Sequence, residues 1–143
     1  MKQMGSESNE SILNPGRRMA RHAGPRGAAY RGGRGKVTLE TSDVDNIPWV
    51  PVEGGPPGHY QKILTEGPEK MFITRMLKVD PGGASTEIFV HDFWEEVYIL
   101  EGSQWDGDQF FKKGMYACRP PGMKHGPYRT DEGVVTFEVR YAR

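Results

Sequence analysis

The chain has 143 residues with 19 basic and 19 acidic side chains, a size that suits one domain with or without a tail. Its one cysteine, Cys118, excludes an intrachain disulfide and a cysteine-rich zinc cluster. No apolar run approaches the ~20 residues of a membrane span and the N-terminus lacks the apolar stretch of a secretory signal, so a soluble cytoplasmic protein is expected.

Along the chain, residues 1–36 come first and stand apart. They hold eight Lys/Arg and two acids, a net of +6, and leave −6 on the remainder. They are rich in Gly, Arg, Ser and Asn and nearly free of large apolar groups. Such a segment buries too little surface to offset its ordering entropy, so a disordered basic tail is expected over 1–36. Within it, YRGGRGK resembles an RGG-type RNA-binding piece. A single copy is a weak signal, and nucleic acid is not expected as a partner.

From Val37 to the end, one domain over 37–143 is expected. Short apolar runs alternate with Gly/Pro turns. Strands are predicted over 61–65, 71–79, 86–91, 95–101, 115–119, 124–129 and 134–141. They are separated by EGPEK, DPGGA, WDGD, KKG, RPPG and TDEG, where Gly or Pro lets the backbone reverse. No stretch sustains a 3.6-residue apolar period, so no long helix is predicted. An all-β fold follows, a small sandwich, barrel or jelly roll.

Alternate strand residues share a face. Glu87, Phe89 and His91 therefore point one way. In the next strand Glu95, Val97 and Ile99 share one face, with Glu96, Tyr98 and Leu100 on the other. A chain reversal at Phe93–Trp94 would let His91 and Glu95 face one interior. A buried carboxylate needs a partner or a metal. A third polar group, His125, follows the turn Pro120-Pro121-Gly122. Two imidazoles and one carboxylate suit non-heme iron(II), and zinc or manganese also fits.

These residues resemble the cupin superfamily. Its first motif is matched by Gly83, five residues, Phe89, Val90, His91, three residues, Glu95, six residues and Gly102. Its second is matched by Gly114, five residues, Pro120, Gly122 and His125. Phe89 stands where the motif has its first histidine, and Arg129 where it has asparagine. The resemblance covers 61–141 and is closest in kind to small cupins of the ChrR type. That group includes the cupin domain of an anti-sigma factor and dioxygenases that cleave acetylacetone or hydroxyacetophenone. The resemblance implies a conical β-barrel (a double-stranded β-helix, or jelly roll) with the metal inside, and a homodimer. Without the first histidine, the implied ligands are His91, Glu95 and His125, with Glu87 as a possible stand-in on the Phe89 face.

Two functions follow. One is a metal-dependent dioxygenase, with iron(II) acting on a small chelating ketone or enol. The other is a non-catalytic cupin that senses a metal or small ligand. For the substrate, Phe89, Phe93 and Trp94 are expected as an apolar wall, and Tyr98, Tyr116 and Arg119 as polar contacts. Arg75 and Arg129 are further candidates for holding a carboxylate. His59 is read as a surface loop residue. Cys118, on the face of Tyr116, is read as a buried small hydrophobe.

Overall fold

A computed structural model describes residues 43–67 and 72–142. The basic tail, with YRGGRGK and His22, lies outside the described residues. A short 3-10 helix, Val44–Asn46, is capped by the Asp43 carboxylate, which accepts from the Asp45 N–H. Eight strands follow: β1 (Val50–Pro51), β2 (His59–Glu66), β3 (Ile73–Val79), β4 (Trp94–Asp106), β5 (Gln109–Lys112), β6 (Tyr116–Arg119), β7 (Tyr128–Arg129) and β8 (Val134–Tyr141). Among the described residues, no helix is long and apolar enough to cross a membrane.

All pairings are antiparallel, in the order β1-β2-β3-β8-β4-β5, with β6 and β7 joined to β4. This corrects the expected barrel. Among the described residues, the path ends at β1 on one side and at β5 on the other, and no pairing joins them. The edges account for it. β1 is two residues long and ends in Pro51, whose nitrogen cannot donate to a neighbour. β5 has only four residues.

The predicted strand over 86–91 is also absent as a strand. The chain from Ala84 to Phe89 meets β7 and the residues before it at two isolated bridges, Ala84↔Arg129 and Phe89↔His125. Between these the partner offers no regular donors. Pro127 has no N–H, and the Gly126 N–H is taken by the Asp106 carboxylate. The same interruption shortens the predicted strand over 124–129 to Tyr128–Arg129. Conversely, Gln109–Lys112, for which no strand is predicted, forms β5. It pairs with Ser103–Asp106 as a hairpin.

β4 organises the molecule. Its first half lies between β8 and β6, and its second half pairs with β5 and β7. The pairing with β8 passes through a register shift between Ile99 and Glu101 and ends at Gly102, and β5 takes over from Ser103. Gly102 follows, with φ of 67°, and a Cβ there would lie 2.0 Å from the Gly133 carbonyl oxygen. The inward face of β4 alternates as expected: Glu95, Val97 and Ile99 are buried, and Tyr98 is exposed. Val97, Ile99 and Val134 form the apolar core, with Val79 and Phe111 packed against it. Ile73 is buried apart from this cluster, and much of the remaining interior is polar, including Arg75, Glu95, Arg119, His125 and Glu138.

Gly102→Ala is therefore expected to destabilise the fold by more than about 2 kcal/mol, since a left-handed residue and a backbone clash coincide. Gly114→Ala, also left-handed but with open space around its Cβ, should cost only about 1–2 kcal/mol. Urea denaturation of both variants measures the difference.

Candidate metal centre

Strand register brings the charged groups together. On β4, Glu95 pairs with Arg140 of β8 on one side and with Arg119 of β6 on the other. One carboxylate is thus set between two guanidinium groups. Arg140 Nε and Nη2 reach Glu95 Oε1 at 3.1 and 3.0 Å. Arg119 Nη1 lies 3.3 Å from Oε2, and its Nη2 reaches Asp106 at 2.8 Å. Burial by itself would raise the Glu95 pKa. Arg140 and Arg119, then His125 and His91, outweigh it and hold the carboxyl below its ordinary value.

The two imidazoles meet the same oxygen. His91 Nε2 is 3.6 Å and His125 Nε2 is 3.8 Å from Glu95 Oε2. The backbone fixes both rings. Gly122 N–H donates to the His91 carbonyl, which ties the Pro-Pro-Gly turn to the first motif. Phe89 and His125 exchange both backbone hydrogen bonds across their bridge. The His91 ring stacks on Phe93 at 4.1 Å with planes 3° apart.

Each ring uses its other nitrogen. His91 Nδ1 lies 2.9 Å from the Phe93 carbonyl oxygen, an acceptor only, so Nδ1 carries the proton and Nε2 keeps a lone pair. His125 Nδ1 pairs with the Tyr128 hydroxyl. Both Nε2 atoms are buried and have no hydrogen-bond partner. A buried imidazole nitrogen without a partner is costly, and two of them aimed at one carboxylate oxygen fit a cation. One ligand atom from each of His91, Glu95 and His125 lies within 4.8 Å of the others. That donor set accepts several divalent ions, and nothing in it selects iron over zinc or manganese.

A cavity of about 660 Å³ opens beside the three residues. Phe89, Phe93 and Arg119 line it. Phe89, 36% exposed, stacks over His125 with ring centroids 5.8 Å apart. Trp94, Tyr98 and Tyr116 are not in its lining. They lie on the other face of the sheet, where Tyr98 and Tyr116 are directly paired and exposed and Trp94 stacks on Tyr141. Glu96 shares that face and accepts from the Tyr141 hydroxyl at 2.7 Å. Cys118 is there too and is exposed, which corrects its reading as a buried hydrophobe. The alternation that turns Arg119 inward turns Cys118 out.

Of the other arginines, Arg75 is buried and lines the cavity, while Arg129 is exposed and lies over Trp105. His59 begins β2 and is half-buried in the cavity wall, not on a surface loop. Glu87 lines the cavity but is exposed and is not grouped with the three candidate ligands. Sequence reasoning missed Arg140, Glu138, Tyr128 and Asp106. For the first two a signal exists: in VVTFEVRY, Thr136, Glu138 and Arg140 fall on one face of a strand, which marks that face as a polar interior.

A family profile described as ChrR Cupin-like domain matches residues 37–142. No curated protein matches the chain. Solved structures share the fold at low identity. An RmlC-like cupin protein from Ralstonia eutropha JMP134 is 18% identical, with a TM-score of 0.59 over 70% of this chain and 66% of that one. A protein from Methylibium petroleiphilum PM1, provisionally assigned as an acetylacetone dioxygenase, is 17% identical, with a TM-score of 0.61 over 72% of this chain and 76% of that one. A chain in the complex of Rhodobacter sphaeroides SigE with the anti-sigma ChrR is 19% identical, with a TM-score of 0.53. There the match covers 68% of this chain and about half, 51%, of that one.

The charges predict a pH response. Burial lowers the His125 pKa from its ordinary 6.5, opposed by Glu95 and aided by Arg119 and His91. Glu95 is likewise held below its ordinary 4.5. Both folded-state values lie below the unfolded ones, so the unfolded chain binds more protons as pH falls. The stability is fully present above about pH 6.5 and is lost as pH drops through each folded-state pKa. The urea midpoint of metal-free protein should fall from pH 7 to pH 5. His125→Gln should flatten the upper part of that decline.

Proposed function

The chain belongs to the ChrR cupin-like family, and from that premise we propose that it is a metal-binding module whose cavity receives a small ligand. The observation that carries this reading is the pair of buried, unpartnered Nε2 atoms of His91 and His125, both turned toward Glu95 Oε2. These three residues would hold a divalent cation. When bound, the cation would supply a Lewis-acidic positive charge to a ligand in the cavity.

The chain's own residues prepare that site. Arg140 occupies Glu95 Oε1 and leaves Oε2 to the imidazoles. The Phe93 carbonyl accepts from His91 Nδ1–H and leaves that Nε2 lone pair to the cation, and the Tyr128 hydroxyl, by accepting from His125 Nδ1–H, would do the same for His125. Phe89 covers His125 with an apolar ring where a further imidazole would add a ligand.

Binding without catalysis is supported by the scarcity of a free base. The buried cavity carboxylates Glu95 and Glu138 are ion-paired with Arg119, Arg140 and Arg75. Burial raises the Tyr128 pKa, so its hydroxyl stays protonated. One observation favours a second reading, a dioxygenase acting on a small chelating ketone or enol: three protein ligands leave coordination positions for substrate beside a cavity of about 660 Å³.

Elemental analysis of protein purified without metal-chelating resin tests the main reading. Near one equivalent of iron, manganese or zinc is expected, and it should be lost in both His91→Ala and His125→Ala. Wild-type protein that takes up none of the three after reconstitution would sink the proposal. Oxygen consumption by the loaded protein with diketones would move the assignment to the second reading. Tyr128→Phe removes the group that orients His125 and should weaken metal binding about 10–100-fold, read by competition with a metal-indicator dye.

A further inference from the structure

Resting on the metal-binding reading, the charges of the cavity carry a further step. Among the described residues, Arg75, Arg119 and Arg140 line the cavity, and Glu95, Glu138 and Asp106 meet them at 2.8 to 3.6 Å. All six side chains are at most 11% exposed except Arg140, at 22%. With both imidazoles neutral, as ligation requires, this network has no net charge. A divalent cation leaves two positive charges without a counter-charge in a largely desolvated place, which is costly until an anion joins them. The remaining acids in the lining, Glu53 and Glu87, are exposed at the rim, where solvent and salt screen them.

The arginines differ in how firmly they are engaged. Arg75 donates to Glu138 at 2.8 Å and to the Gln61 side-chain oxygen at 2.9 Å. Arg119 holds Asp106 at 2.8 Å. Arg140 has no carboxylate to itself. It shares Glu138 with Arg75, and Glu95 with Arg119 and the two imidazoles. It is also the most exposed of the three, and its guanidinium lies over the Phe93 ring at 5.1 Å.

We infer that the metal-loaded cavity takes a small carboxylate anion, and that Arg140 is the group that recognises it. The planar guanidinium fork matches a carboxylate, and a cation on Glu95 Oε2 draws charge from that carboxylate and so loosens the hold of Oε1 on Arg140. Phe93, Leu77 and Val97, also in the lining, would face the apolar part of such a molecule. Metal and carboxylate then bind cooperatively, each tightening the other by the same factor.

Calorimetric titration with pyruvate, and with its neutral analogue pyruvamide, tests this on the full chain with and without manganese(II) or zinc(II). Pyruvate should bind the loaded protein at least tenfold more tightly than the metal-free protein, and pyruvamide should bind neither. Arg140→Gln should lose at least tenfold in pyruvate affinity. The variant and the wild type are compared at equal metal occupancy, set beforehand by metal titration. Pyruvate binding that is indifferent to metal, pyruvamide binding as tight as pyruvate, or full pyruvate affinity in Arg140→Gln would each overturn the inference and leave the metal site standing. A wild type that takes up no metal overturns both. Should the variant fail to fold, the comparison of pyruvate with pyruvamide on the wild type decides.

Discussion

Glu95 is the constraint from which the rest follows. A carboxylate with 3% of its surface exposed is not tolerated without counter-charges, and the sheet supplies them by register. Arg140 stands opposite it on β8 and Arg119 opposite it on β6. Each arginine in turn needs a second acid, which brings in Glu138 and Asp106. The polar interior propagates outward from one residue, and the clustered apolar core is small, Val97, Ile99 and Val134 with Val79 and Phe111 against them. The stability of such a network depends on its completeness, because removing one member strands a buried charge.

The two oxygens of Glu95 have different neighbours, and that asymmetry shapes the chemistry. Oε1 is turned to Arg140, and Oε2 faces Arg119 and both imidazole Nε2 atoms. Arg119 and a cation compete for Oε2, yet Arg119 has Asp106 as a closer partner at 2.8 Å. The arrangement therefore presents a carboxylate oxygen that can change partners without leaving a guanidinium unpaired. Phe89 acts in the opposite sense, replacing a donor with an apolar ring against His125. Three potential ligands thus stand beside three arginines that line the same cavity.

Much of this was written in the chain. Strand alternation put Glu95, Val97 and Ile99 inside and Glu96 outside, because a two-residue period allows no other division once one face is buried. The spacing of His91, Glu95 and the Pro-Pro-Gly turn before His125 was enough to bring three potential ligands into one group. The same rule had already set Tyr98 on the face of Glu96, away from Glu95, but for Met115–Arg119 it left open which side of the strand is the interior. Tyr98 and Tyr116 lie together on the outer face, and Cys118 is exposed with them. The alternation of Met115–Arg119 was legible, but its absolute direction came only from the pairing of Arg119 with Glu95.

What the sequence determined by itself was local: strands between Gly/Pro turns, the periodicity of each, and a histidine-glutamate-histidine set at fixed spacing. Tertiary structure alone decided closure, partners and charge balance. Whether a sheet closes depends on the hydrogen-bonding capacity of its two edge strands, and here β1 with Pro51 and the short β5 leave it open. Arg140 joins Glu95 across 45 residues of chain, and Arg75 joins Glu138 across 63. No spacing rule reaches that far. Only the register of β8 against β3 and β4 turns those separations into contacts, and with them a cavity of a definite charge.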